Sequence, residues 1–113
     1  MANHVYRTAV VGAWVLIRES WYKLEFLPSA TKEWNKLGAP VRLQFTKKLR
    51  ERLDNPRVPA ARLSEMPDCY KIKLRSAGYR LVYRVEDDRV VVAVIAVGKR
   101  DHDDVYIAAA KRL

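Results

Sequence analysis

From Tyr22 onward, apolar and polar positions follow an orderly pattern. Tyr22-Lys23-Leu24-Glu25-Phe26-Leu27 alternates and predicts a short strand. Pro28-Ser29 stops it, and Ser29 is placed to cap a helix. Ala30, Trp34 and Leu37 recur at helical spacing up to Gly38, a C-terminal stop. Pro40 suits the first turn of a second helix, whose apolar stripe is Val41, Phe45, Leu49 and Leu53. Asp54-Asn55-Pro56 ends that helix. Residues 55–68 have no period and hold Pro56, Pro59 and Pro67, so they read as a loop.

Three strands follow. In residues 70–75, Tyr70, Ile72 and Leu74 face one way and Lys71, Lys73 and Arg75 the other. Ser76-Ala77-Gly78 is a turn. In residues 79–86, Tyr79, Leu81, Tyr83 and Val85 oppose Arg80, Val82 and Arg84. Asp87-Asp88 makes a tight hairpin turn. Residues 90–97 are apolar on both faces, which predicts a central strand covered on both sides. Residues 103–112 form a terminal helix with Val105, Ile107 and Ala108 as its contacts. The expected architecture is α+β: an antiparallel sheet of about four strands, an N-terminal helical hairpin packed on one face, and a short C-terminal helix. The other face carries Lys71, Lys73, Arg80 and Arg84.

The chain has 113 residues, which suits one domain. Residues 1–20 are set apart as an extension, a strand, a helix or a flexible segment, and residues 21–113 as the domain. The apolar run 9–17 loosely resembles a signal-peptide core, but Ser20-Trp21-Tyr22 is a poor cleavage site. Neither this run nor 90–97 approaches the roughly 20 residues of a spanning helix, so no membrane role is expected.

Charge narrows the partners. Twenty-two Lys and Arg against 13 acids give +9. A small domain this basic suits nucleic acid first, then an anionic membrane or an acidic protein. The single cysteine, Cys69, excludes an intramolecular disulfide and a Cys-cluster metal site, and fits a reducing cytoplasm.

Alternation places Lys71 and Lys73 on one sheet face, and the next strand adds Arg80. The central strand ends at Lys99-Arg100, with Tyr106 just beyond. One such charge alone reads as an ordinary solvated strand face. As a set, without an acid between Cys69 and Val85, they repel one another and suit phosphate. Cleavage of RNA by its own 2′-hydroxyl needs a base, cations for the pentavalent phosphate and a proton for the leaving oxygen. A lysine among cations can act as base, and an arginine stabilises charge without giving up its proton.

The run Asp68-Cys69-Tyr70-Lys71-Ile72-Lys73-Leu74-Arg75-Ser76-Ala77-Gly78-Tyr79-Arg80-Leu81-Val82-Tyr83 is very similar to the RelE family of bacterial toxins. So are Val97-Gly98-Lys99-Arg100, Val105-Tyr106 and, upstream, Lys32-Glu33-Trp34-Asn35-Lys36-Leu37. The resemblance covers about residues 22–113. It implies a compact fold related to microbial ribonucleases, and cleavage of mRNA in the A site of the 70S ribosome to a 2′,3′-cyclic phosphate and a 5′-hydroxyl. It implies no cofactor and no metal. Lys71 would act as, or support, the base, and Lys73 would stabilise the phosphate. Arg80 would clamp phosphate, Arg100 would sit near the leaving group, and Tyr106 would stack on or orient the nucleotide. The resemblance also implies a RelB-like antitoxin that covers the site, through which alone the complex meets operator DNA.

Two departures stand out. The family's Leu-Arg-Gly-Met-Pro-Asp loop is Leu63-Ser64-Glu65-Met66-Pro67-Asp68 here, which removes a basic residue that Arg62 is placed to replace. A second basic position after Arg100 is His102, whose charge depends on pH near neutrality and whose plainer reading is a helix-start residue. Arg75 and Lys99 extend the expected RNA contacts. Lys47, Lys48, Arg50 and Arg52 read either as a solvated helix flank or as contacts to 16S rRNA of the 30S A site. Trp34, Tyr70, Tyr79 and Tyr83 read as core, and Cys69 as an inert buried thiol. The rival functions are a ParE-like toxin that binds and poisons DNA gyrase, and a plain nucleic-acid-binding module. Lys71, Lys73 and Tyr106 favour the nuclease, because the ParE relatives lack them.

Overall fold

The structure, a computed structural model, describes residues 22–101 and 103–113, and the backbone of 4–8 and 14–18. Strands β1 (His4–Thr8) and β2 (Trp14–Arg18) pair antiparallel as a two-stranded sheet of their own. Then come β3 (Lys23–Phe26), α1 (Pro28–Asn35), α2 (Ala39–Asp54), a single 3₁₀ turn (Pro59–Ala61), β4 (Cys69–Leu74), β5 (Tyr79–Glu86), β6 (Val91–Lys99) and α3 (Asp104–Arg112). α1 begins two residues earlier than its sequence suggests. Leu27 holds the cap position and Pro28 the first turn, so Ser29 lies inside the helix.

The second sheet has the order β3-β6-β5-β4. It is mixed, not antiparallel throughout: β3 runs parallel to β6, while β6–β5 and β5–β4 are antiparallel. The two helices between β3 and the meander form the long crossover that a parallel pair requires. β6 is an interior strand through residue 94, and its residues from Val91 to Val97 are buried, as apolar character on both faces predicts.

Two cores sandwich the sheet. Ala30, Phe45 and Leu49 from α1 and α2 meet Ile72, Leu81, Tyr83 and Val94 on one face. Trp34 packs its ring edge-on to Phe26 at 5.2 Å. On the opposite face, Val105 and Ala109 of α3 meet Val82, Ala93, Ile95 and Ala96. The helices therefore do not share one face: α3 packs on the face that the sequence assigns to cations. Its Val105 and Ala109 are the buried contacts, while Ile107 is half exposed.

Tyr83 joins helix, loop and sheet. Its hydroxyl donates to the Pro56 carbonyl at 2.6 Å and accepts from Arg52 at 2.9 Å. At the far end, Arg57 bridges Asp68 and Asp87, which ties the 55–68 loop to the β5–β6 turn. Among the described residues, no helix is long and apolar enough to cross a membrane.

Candidate active site

Register builds the site. Lys73 stands opposite Arg80 in the β4–β5 ladder, and Arg80 stands opposite Gly98 in the β5–β6 ladder. Gly98 ends this row close under α3, for a Cβ there would lie 3.4 Å from a Val105 methyl. The β4–β5 turn uses Gly78 at φ +73°, a left-handed conformation that glycine adopts freely. The Gly78 carbonyl accepts the Arg100 N–H at 2.7 Å, so the chain leaving β6 is fixed beside that turn. Asp103, at φ +60°, then turns the backbone into α3 and brings Tyr106 back over the sheet.

The result is a cleft of about 120 Å³ lined by Lys73, Arg80, Lys99, Arg100, Val105 and Tyr106, with Asp101, Asp103 and Asp104. Arg80 is only 6% exposed, and one of its guanidinium nitrogens donates to the Tyr79 carbonyl at 3.1 Å. The Lys73 ammonium is held below its ordinary pKa, first by the Lys71 charge beside it, then by desolvation and by Arg80. A second groove of about 340 Å³ adjoins the cleft and is lined by Arg52, Val58, Ala60, Ala61, Lys71, Lys73 and Arg75. Lys73 lines both. The groove lining holds cations without an acid, whereas the cleft sets four cations against three carboxylates.

The cleft thus gathers Lys73, Arg80, Arg100 and Tyr106, and Lys99 with them. Lys71 sits one step along β4, opposite Val82, and faces the adjoining groove. Arg75 joins it there. Arg52 is more than a solvated flank, since it donates to the Lys71 carbonyl at 3.2 Å and to the Tyr83 hydroxyl. Lys47, Lys48 and Arg50 are exposed on α2, and Arg62 is exposed beside β4, all outside both linings. His102 lies outside the described residues. Glu65 of the departing loop lines a third cavity, of about 490 Å³, together with Asp103 and Tyr106. Cys69 is fully buried, and desolvation pushes its thiol up to about 11.

Sequence reasoning missed the carboxylates. The strands carry no acid on this face from Cys69 to Val85, yet the segment after Arg100 supplies three. The signal was the run Asp101-His102-Asp103-Asp104, directly after a cation of the site.

Comparison with known proteins agrees with this fold. Residues 24–104 match a family described as the ParE toxin of type II toxin–antitoxin system, parDE. The chain is 60% identical over 92 residues to the mRNA interferase toxin RelE of Escherichia coli K12, covering 81% of this chain and 97% of that one. A solved structure of a double arginine-to-alanine mutant of E. coli RelE in the free state superposes with a TM-score of 0.77 at 59% identity, over 81% of this chain and 97% of that one. The toxin in the intact E. coli RelBE toxin–antitoxin complex superposes with a TM-score of 0.69 at 60% identity, over 72% of this chain and 99% of that one. The chain is a member of the RelE branch of the RelE/ParE toxin superfamily of type II toxin–antitoxin systems.

Proposed function

We propose that this protein is a ribosome-dependent mRNA endoribonuclease that cuts mRNA in the A site of the 70S ribosome and so stops translation. The observation that carries the reading is the convergence of Lys73, Arg80, Arg100 and Tyr106 on one cleft, with Lys71 alongside. In the reaction, the 2′-oxygen attacks the adjacent phosphorus, the bond to the 5′-oxygen breaks, and the leaving 5′-oxygen takes up a proton from water. The products are a 2′,3′-cyclic phosphate and a 5′-hydroxyl. Lys73, which lines the cleft while Lys71 lines the adjoining groove, takes the 2′-hydroxyl proton in place of Lys71, to which the sequence reading gave or lent that role. Lys71 supports Lys73 as the neighbouring charge that lowers its pKa. Arg80 and Arg100 keep their protons and stabilise the pentavalent phosphate. Tyr106 orients the nucleotide from the α3 side.

The groove, whose charged lining residues are all cations, guides the flanking RNA backbone towards the cleft. Lys47, Lys48, Arg50 and Arg62 meet rRNA phosphates, and His102 does so when protonated. The related E. coli protein is found in a complex with its antitoxin. A RelB-like acidic segment suits this +9 chain in the same way and covers the cleft. Operator DNA is then met through that complex, in the bacterial cytoplasm.

The test is primer extension on mRNA programmed in the A site of 70S ribosomes, with naked mRNA as control. Wild type is expected to cut within the A-site codon on ribosomes only, and Lys73→Ala, Arg100→Ala and Tyr106→Ala to lose that cut. Absence of a cut by wild type, together with inhibited DNA supercoiling by gyrase, would replace this reading with gyrase poisoning.

A further inference from the structure

The outer edge of β6 changes character at Ile95. β3 covers it only as far as Val94, which pairs with Phe26 and accepts the Leu27 N–H at 3.0 Å. At the same place the register with β5 slips: Val82 pairs with Ala96 and Tyr83 with Val94, so Ile95 has no partner on β5. Such a bulge leaves backbone groups in need of partners. Two side chains supply them. The Arg112 guanidinium donates to the Ile95 carbonyl at 2.9 Å, and the Val97 N–H donates to the Glu33 carboxylate at 3.2 Å. The same two side chains bind each other through two bonds, of 2.7 and 3.1 Å. Both are partly buried, with 23% and 29% of the side chain exposed, and the geometry is the two-pronged one in which Arg–carboxylate pairs are strongest.

Arg112 closes α3 and Glu33 lies on α1, so this cluster joins elements on opposite faces of the sheet around its open edge. Elsewhere α3 rests on two buried residues, Val105 and Ala109, with Tyr106 and Ala108 packed partly buried beside them. Yet α3 carries Tyr106, one wall of the cleft.

We propose that Glu33 and Arg112 are positioning residues: their ion pair, seated on the Ile95 bulge, latches the end of α3 and thereby holds Tyr106 over the cleft. The part of this inference that concerns catalysis rests on the nuclease reading above. The latch itself does not.

The experiment compares Glu33→Gln, Arg112→Gln and the double variant in the full chain. Amide hydrogen exchange reads the latch, and single-turnover A-site cleavage reads its consequence. In each variant the α3 amides are expected to exchange about tenfold faster, while β4, β5 and β6 keep their protection. The cleavage rate at saturating ribosomes is expected to fall about tenfold, with the ribosome concentration for half-maximal rate little changed. The double variant should be no worse than either single one, because the two act as one unit. Unchanged α3 exchange in Arg112→Gln would overturn the proposal. So would an equal loss of protection throughout the sheet, which marks a merely structural pair, or a tenfold faster α3 exchange without any fall in rate. If wild type cuts no RNA, the nuclease reading fails, and the exchange data still decide the latch.

Discussion

Lys73 and Arg80 face each other directly across the β4–β5 ladder, two like charges on one sheet face. Such a pair opposes folding, and its presence beside Arg100 marks a place where charge has been concentrated against the interest of stability. Lys73→Gln is expected to melt at a higher temperature than wild type while losing A-site cleavage by about 10²-fold or more, the usual scale for removing a general base. Thermal denaturation and single-turnover cleavage on the same preparations check both halves.

The Lys71 charge is the largest influence lowering the Lys73 pKa. On the proposed mechanism, cleavage depends on the Lys73 amine having lost its proton, so the rate is expected to rise with pH and then level off. Removing the neighbouring ammonium raises the Lys73 pKa. Lys71→Gln is therefore expected to move the rising limb of the pH–rate profile to higher pH. A limb that stays in place would assign the titrating base elsewhere.

The carboxylates of the cleft oppose the entry of phosphate. Asp103→Asn/Asp104→Asn is expected to bind a short single-stranded RNA about fivefold more tightly at low salt, the scale of a few exposed charge interactions. The gain should vanish at about 1 M salt, where the screening length is near 3 Å. Fluorescence anisotropy across a salt series measures it.

The Tyr83 hydroxyl is fully buried, with one donor and one acceptor partner. Tyr83→Phe leaves the Pro56 carbonyl without its tyrosine donor and the Arg52 guanidinium short of one acceptor. Urea unfolding is expected to show a loss of about 1–3 kcal/mol.

Cys69 is expected to resist thiol reagents at pH 8, because burial holds its pKa at about 11 and keeps the reactive thiolate scarce. Reaction with a chromogenic disulfide should appear only when urea unfolds the chain.

Much of this site was legible because strand alternation is a strict period. It places Lys71, Lys73 and Arg80 on one face, and the apolar character of residues 90–97 places β6 inside the sheet. The direction of β3 was not legible, because four residues pair equally well either way and the helical crossover decides. The position of α3 was hidden for a related reason. Its docking depends on small contacts, Gly98 beneath Val105 and the buried Ala109, which hydrophobic pattern hardly registers. Arg52 read as a surface charge because nothing in its spacing shows that a tyrosine hydroxyl from β5 lies within reach. The acids of the cleft escaped because they come from a loop, where no period fixes which way a side chain points.

The parallel pairing of β3 with β6 also sets an order of events during synthesis. β3 finds its neighbour only after Val91–Val94 have been made, so the sheet closes late, on contacts far apart in the chain. Arg100 and Tyr106 come later still. A nascent chain can form its α1–α2 hairpin early, but the cleft cannot assemble until residues beyond 106 have emerged. On the proposed function, the cleft is thus incomplete while the ribosome is still making most of the chain.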